Sequence, residues 1–235
     1  MKHKTAQSIA SYYNKESSSA TEFRRIYSSI LSSKGDKKPQ TILVTSAIVG
    51  EGKSLTSSLL SITAASLTGS KIAVVDFDLR RPRLHEYFAI PPGPGVVEVL
   101  SGKSNIKSVT RNSGIPNLSI ITSGKPTLPP SEIFDRADIP GFLQELKFYF
   151  DTVIIDSPPI IPVSDPMLIA DQVDGVIVVV KGGSTQREVA RRALNLLEKS
   201  AVNLLGIILN DQDSVLPYYY KDRYYGYQYG YSRKK

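Results

Sequence analysis

Three stretches of the sequence carry side chains whose types and spacing can do chemistry: "SAIVGEGKSLTSS" (46–58), "VVDFDLRRP" (74–82) and "VIIDSPP" (153–159). The first contains Ala47-x-x-x-x-Gly52-Lys53-Ser54, placed between an apolar run and a helix-compatible one. Gly50 and Gly52 let backbone N–H groups turn toward an anion. A helix start just behind them adds a favourable dipole. Lys53 can neutralise terminal phosphate oxygens, and Ser54 can offer a hydroxyl to a divalent cation. The segment Val49, Gly50, Glu51, Gly52, Lys53, Ser54 and Leu55 is therefore a candidate nucleoside-triphosphate site. In the second stretch Asp76 and Asp78 end an apolar run, and alternation puts them on one side with Phe77 on the other. In the third, Asp156 ends another apolar run. One strand-end Asp readily caps a turn. Three of them behind a phosphate loop can instead hold a hydrated Mg2+ and take a proton from a hydroxyl nucleophile. Arg80, Arg81 and Arg83 follow directly and can steer phosphates or an acidic substrate, or simply lie on a solvated loop. The two histidines, His3 and His85, show no metal-ligand spacing.

The elements that must position these residues are legible from period and punctuation. Short apolar runs at 41–47, 71–78, 117–124, 151–157, 175–181 and 204–210 read as strands. Helical patterns at 53–67, 95–102, 141–150 and 184–200 alternate with them. This order predicts an α/β fold of P-loop NTPase type, a mostly parallel sheet with helices on both faces. Ligands in such folds bind at the carboxyl ends of the strands. Upstream, residues 1–18 are polar and Ser-rich and read as a flexible N-terminus. Residues 19–40 read as a helix, with Phe23, Ile26, Tyr27, Ile30 and Leu31 at helical spacing, followed by the linker "KGDKKPQ". The nucleotide-binding domain is expected to span 41–214, and 215–235 to form a flexible tail. Within that tail Tyr218, Tyr219, Tyr220, Tyr224, Tyr225, Tyr227, Tyr229 and Tyr231 are eight of the chain's 13 tyrosines. They carry no helical or strand period.

Composition narrows the function classes. There is no cysteine, which excludes disulfides and thiolate metal sites. No apolar run approaches a membrane span, and the start has no secretory pattern, so a cytoplasmic protein is expected. The net charge of +7 sits in the ends, +5 over residues 1–40 and +4 over 218–235, leaving the middle at −2. That distribution argues against a nucleic-acid groove, which needs Lys and Arg along one folded face. Basic ends suit an acidic partner or an anionic leaflet instead.

Taken together, the three motifs and the tyrosine-rich end resemble those of the bacterial tyrosine kinases of capsule and exopolysaccharide assembly. The resemblance spans roughly residues 20–231. It implies that Lys53 and Ser54 bind ATP–Mg2+, that Asp76 and Asp78 supply the catalytic and metal carboxylates, and that Asp156 assists at the metal. Which of Asp76 and Asp78 is the base stays open. Asn210 matches a position near the nucleotide base in related ATPases, and the tail tyrosines match sites of autophosphorylation in trans. The family helix motif Glu-x-x-Arg-x-x-Arg, which packs subunits into a ring, is met by Glu22 and Arg25 but has Ser28 at its third position. Implied partners are further copies of the chain, a membrane-bound polysaccharide co-polymerase or adaptor that activates and recruits the kinase to the inner face of the membrane, and an opposing phosphotyrosine phosphatase. Two other readings compete: a partner-stimulated positioning ATPase of the septum or partition type, and a non-catalytic ATP-binding scaffold. The positioning ATPases carry an extra lysine early in the loop, at the place occupied here by Ile48.

Overall fold

Alternating apolar residues of the predicted strands point to opposite faces of one sheet, and each face is covered. The computed structural model describes residues 8–32, 38–200 and 202–211. Seven strands, β1 (Thr41–Ser46), β2 (Ile72–Asp76), β3 (Arg111–Asn112), β4 (Leu118–Ile121), β5 (Thr152–Asp156), β6 (Gly175–Lys181) and β7 (Leu204–Asn210), form a sheet in the order β3-β4-β2-β5-β1-β6-β7. Every pairing is parallel except that of β3 with β4. Leu43, Ala73, Val75, Val153 and Ile155 pack on one face with Phe142, Leu143 and Leu146 of the helix Ile139–Tyr149. Phe77 lies there too, edge-on to Phe142 with ring centres 5.3 Å apart. Ile42, Val44, Ile72, Val74 and Ile154 pack on the other face with the helix Lys53–Thr68.

The helix Lys53–Thr68 is itself covered on its far side by the helix Ser18–Leu31, through Tyr27 and Ile30. This explains why its sequence shows no clean apolar stripe: a helix sandwiched between a sheet and another helix is buried nearly all round. Its buried positions combine small residues, among them Ser57, Ser58, Ser61, Ala64 and Ala65, with the larger Leu60 and Ile62. The hydroxyls of Ser58 and Ser61 donate to carbonyls four residues back at 2.7 and 2.6 Å, which satisfies them without a polar neighbour, and that of Ser57 is shared between the Lys53 carbonyl (2.9 Å) and Asp156.

Several elements differ from the reading by period. Ile9–Tyr12 forms a turn of helix inside the stretch expected to be mobile, capped by Ser8. Tyr13 holds it down with a 2.9 Å hydroxyl contact to Thr63. Four further helices, Leu84–Tyr87, Ile106–Val109, Pro130–Arg136 and Asp165–Ala170, are too short to show a period. The tail tyrosines and the residues around 33–37 lie outside the described residues.

At the end of the sheet away from the motifs, Asp174 fixes where β1 and β6 begin. Its carboxylate accepts from the backbone N–H groups of Gln40 (3.0 Å) and Thr41 (2.7 Å), the Thr41 hydroxyl (2.9 Å) and Lys147 Nζ (2.7 Å). Burial alone would raise its pKa, but Lys147 and the Thr41 bonds outweigh burial and hold it below the usual carboxylate value. A depressed carboxyl contributes stability above its unfolded pKa and loses it as pH falls through the folded one. Acid titration monitored by circular dichroism therefore loses part of its slope below pH ~4 in Asp174→Asn. The same variant is less stable at neutral pH by about 1–2 kcal/mol, because two strand-end amides and a lysine lose a charged acceptor.

Candidate functional site

Strand register brings the carboxylates together. Asp76 of β2 pairs directly with Asp156 of β5, and alternation turns both toward the face covered by the helix Lys53–Thr68. Both are completely buried. Asp156 Oδ1 accepts from the Ser57 hydroxyl at 3.3 Å, while Oδ2 is buried with no hydrogen-bond partner among the described residues. Asp76 is differently placed. Its Oδ1 accepts from the Asp78 N–H (3.2 Å) and its Oδ2 from the N–H groups of Arg83 (3.1 Å) and Leu84 (3.0 Å). It holds the turn after β2 in shape. Asp78 stands at the mouth, with Oδ1 on the N–H groups of Arg81 (2.9 Å) and Arg80 (3.3 Å) and Oδ2 on Lys53 Nζ (2.8 Å).

Lys53 is the cation in direct contact with this group of acids, through Asp78. Burial works against its charge, yet Asp156, Asp78 and Asp76 together raise its pKa. Burial and the neighbouring Asp156 push Asp76 well above the ordinary carboxylate value. Burial also raises Asp156, to about 6, with Lys53 and the nearby Ser54 hydroxyl keeping it from going higher.

The phosphate loop owes its shape to two glycines and one acid. Gly50 and Gly52 lie at φ 89° and 91°, in the left-handed region that lets successive N–H groups converge. Glu51 folds inward and is buried; its Oε2 accepts from the Ile48 N–H at 2.7 Å, and its Oε1 accepts from the Thr185 hydroxyl. Asn210, at the end of β7, donates to the Glu51 carbonyl at 2.9 Å. The loop is thus tied to the segments that follow β6 and β7. Of the residues singled out in the sequence, Val49, Gly50, Gly52, Lys53, Ser54 and Asp78 line an open cleft of about 510 Å3, with Arg80, Arg81 and Arg83 on its rim. Glu51, Leu55, Asn210, Asp76 and Asp156 do not line it. Glu22 and Arg25 pair with each other at 2.6 Å on the exposed side of the helix Ser18–Leu31.

Two residues that sequence reasoning passed over hold the site's edges. Asp165 is buried and clasps Arg80 with both oxygens, at 2.7 Å to Nε and 3.1 Å to a terminal nitrogen. Thr185 braces Glu51 and also accepts from the Lys181 N–H at 3.1 Å. Asp165 opens a six-residue helix behind Ser164, which makes it look like a helix-start acid, and only the fold brings Arg80 to it. Thr185 carries no motif of its own.

A parallel sheet with a glycine loop and a lysine at its carboxyl edge defines a P-loop nucleotide-binding protein, and the comparisons agree. Residues 37–230 match the ParA family model, described as an NUBPL iron-transfer P-loop NTPase. The chain is 31% identical over 195 residues to the tyrosine-protein kinase YwqD of Bacillus subtilis (strain 168), covering 83% of this chain and 82% of that protein. It is 31% identical over 225 residues to the putative tyrosine-protein kinase CapB of Staphylococcus aureus, covering 93% and 98%. Against the tyrosine-protein kinase ptk of Acinetobacter johnsonii it is 34% identical over 160 residues, which is 22% of that longer protein. The kinase domain of the Escherichia coli tyrosine kinase ETK superposes with a TM-score of 0.82 at 26% identity, covering 89% of this chain and 82% of that one. The cell-division ATPase MinD of Pyrococcus furiosus, at 23% identity and a TM-score of 0.61, shares the fold. This chain belongs to the bacterial tyrosine-protein kinase family, within the P-loop NTPases.

Gly52 offers a direct test of the loop. A Cβ there would lie 2.1 Å from Asn210 Nδ2, on a backbone already at positive φ. Gly52→Ala is expected to weaken nucleotide binding at least about tenfold and to cost about 1–3 kcal/mol of stability, read by calorimetric titration and thermal melting.

Proposed function

We propose that this kinase uses ATP to phosphorylate the tyrosines of its own C-terminal tail, Tyr218 to Tyr231, in trans between copies of the chain, in the service of capsule or exopolysaccharide synthesis and export. The observation that carries the reading is the open cleft that places Lys53, Ser54 and Asp78 together, in a chain of this family. Loop amides and Lys53 are suited to the β- and γ-phosphates. When phosphate enters, Lys53 exchanges its Asp78 contact for phosphate oxygens, and Asp78 Oδ2 is released toward the cleft. We assign the base to Asp78, because both oxygens of Asp76 are engaged by backbone N–H groups. The tyrosine oxygen forms a bond to the γ-phosphorus, the bond from that phosphorus to the β-phosphate oxygen breaks, the phenolic proton passes to Asp78, and ADP departs. A tyrosine arrives neutral because its ordinary pKa is ~10, so an acceptor beside it is needed.

Mg2+ fits the residues present. The unpartnered Oδ2 of buried Asp156 and the Ser54 hydroxyl lie behind the phosphate loop. No cluster of three or more His or acidic residues suited to a metal occurs among the described residues. That is in keeping with a hydrated Mg2+ held by one or two protein oxygens and substrate phosphate. Bound there, it would supply charge to the transferred phosphoryl group. Asn210 supports the loop at Glu51, and its match to related ATPases assigns it to the nucleotide base in this reading. In this reading the chain works as a homo-oligomer, with Glu22 and Arg25 on the contact helix. A membrane-bound adaptor activates it and recruits it to the inner face of the membrane, and a phosphotyrosine phosphatase opposes it.

The test is phosphotyrosine immunoblotting after incubation with ATP and Mg2+, with and without an adaptor-tail peptide. Wild type gives signal, and Lys53→Met gives none. Asp78→Asn falls about 100-fold or more. Asp76→Asn melts lower, since one amide oxygen cannot serve three N–H groups. ATP hydrolysis without phosphotyrosine would favour the positioning ATPase, and nucleotide binding with neither would favour the scaffold.

A further inference from the structure

Four cations line the cleft, Lys53, Arg80, Arg81 and Arg83, against the single carboxylate of Asp78. Two are already committed: Lys53 to Asp78, and Arg80 to the buried Asp165 in a two-point clasp. Arg81 is exposed and makes no ion pair among the described residues. Arg83 has only Glu86, three residues on, with both side chains more than half exposed, a contact that solvent screens. Tyr87 lines the same wall and offers an aromatic surface. The Arg81 N–H is 2.9 Å from Asp78 Oδ1, so its guanidinium is within one side-chain length of the carboxylate assigned as base.

This rim is wrong for the tail as synthesised. The segment 218–235 carries +4, and a cationic rim repels it. Each phosphate added to a tyrosine brings about −1.5 to −2 and three strong acceptor oxygens, the group that paired guanidinium donors hold best. The tail also has the right spacing. Tyr225, Tyr227, Tyr229 and Tyr231 fall at every second residue, so an extended segment would carry them on one face, about 6.8 Å apart. That separation is comparable with the reach of an arginine side chain from its own backbone.

Building on the kinase reading, we propose that Arg81 and Arg83 form a phosphotyrosine-binding subsite beside the transfer position. A tyrosine that has received phosphate docks there, through charge-assisted hydrogen bonds to the two guanidinium groups, and presents a neighbouring tyrosine to Asp78. The first transfer onto the basic tail is slow and later ones are faster. Partly phosphorylated chains then give way to heavily phosphorylated ones rather than accumulating.

The test uses the full chain with its eight tail tyrosines changed to Phe, and peptides of residues 222–233 in which Tyr227 is the only acceptor. Position 229 is either phosphotyrosine or Phe. Primed peptide should be phosphorylated with about tenfold higher kcat/KM than unprimed. In the Arg81→Gln/Arg83→Gln variant that ratio should fall to about one. Equal rates for the two peptides in the starting protein overturn the proposal. So does a double variant that loses ATP affinity and slows both peptides alike, since the arginines would then serve the nucleotide. A second measurement is independent of transfer. Fluorescence anisotropy with the Lys53→Met chain and no ATP should show the phosphopeptide bound about tenfold more tightly than the Phe peptide, and the preference lost with the two arginines. A preference without any transfer keeps the subsite and sinks the kinase reading. No preference sinks the subsite, whatever the transfer assay shows.

Discussion

Packing two aspartates side by side at the ends of buried parallel strands is unfavourable by itself, and the rest of the site is arranged around that fact. Asp76 and Asp156 are ladder partners and fully buried, and Asp78 follows two residues later. Burying unpaired carboxylates is costly, and like charges in contact add to the cost. The molecule answers each in a different way. Asp76 is surrounded by three backbone N–H groups from the turn it organises. Asp78 has two backbone N–H groups and Lys53. Asp156 has the hydroxyls of Ser57 and, nearby, Ser54, the field of Lys53, and an Oδ2 with no hydrogen-bond partner among the described residues. Hydrogen-bond support therefore decreases from Asp76, which shapes the turn, to Asp156, whose Oδ2 has no partner among the described residues.

The covering elements follow from the same constraint. The helix Lys53–Thr68 turns Ser57 toward Asp156, while Leu60 and Ile62 of the same helix pack into the core on that face of the sheet. The helix Ser18–Leu31 then shields the outer side of that helix with Tyr27 and Ile30. On the other side of the phosphate loop, Glu51, Thr185 and Asn210 connect the ends of β1, β6 and β7 through side-chain hydrogen bonds. The loop is thus held from below by the helix start and from the side by two neighbouring strand ends. This is the support that a preorganised phosphate site requires.

The parallel sheet and the phosphate loop could be read from the sequence because they rest on local signals. The apolar runs around β1, β2, β5 and β6 are continuous, and Gly50, Gly52, Lys53 and Ser54 occupy one short segment. The division of labour between Asp76 and Asp78 could not be read. Their spacing is two in either role, and what separates them is the direction of the chain after Leu79, which returns the Arg83 and Leu84 N–H groups to Asp76. Asp165 was hidden for a related reason: its partner Arg80 is 85 residues away, and only the turn after β2 and the segment after β5 bring the two together. The short helices were missed because four to seven residues give no period. Ile9–Tyr12 was missed because its anchor, Thr63, lies on a different helix.

The position of Ile48 bears on what this fold is used for. In the positioning ATPases that the sequence also resembles, a lysine stands here. Ile48 offers no side-chain charge; its backbone N–H donates to the loop's own Glu51 at 2.7 Å and its carbonyl accepts from the Ser46 hydroxyl at 2.8 Å. A buried carboxylate is thereby satisfied within the chain, by Ile48 and Thr185, and this side of the loop makes no demand for a cation. Positive charge lies instead at Arg81, which makes no ion pair among the described residues, and at Arg83, paired only with the exposed Glu86, both lining the cleft that holds Asp78. In the subsite proposed for Arg81 and Arg83, that charge would discriminate between acceptor segments, a property a kinase can use and a hydrolase that attacks with water cannot.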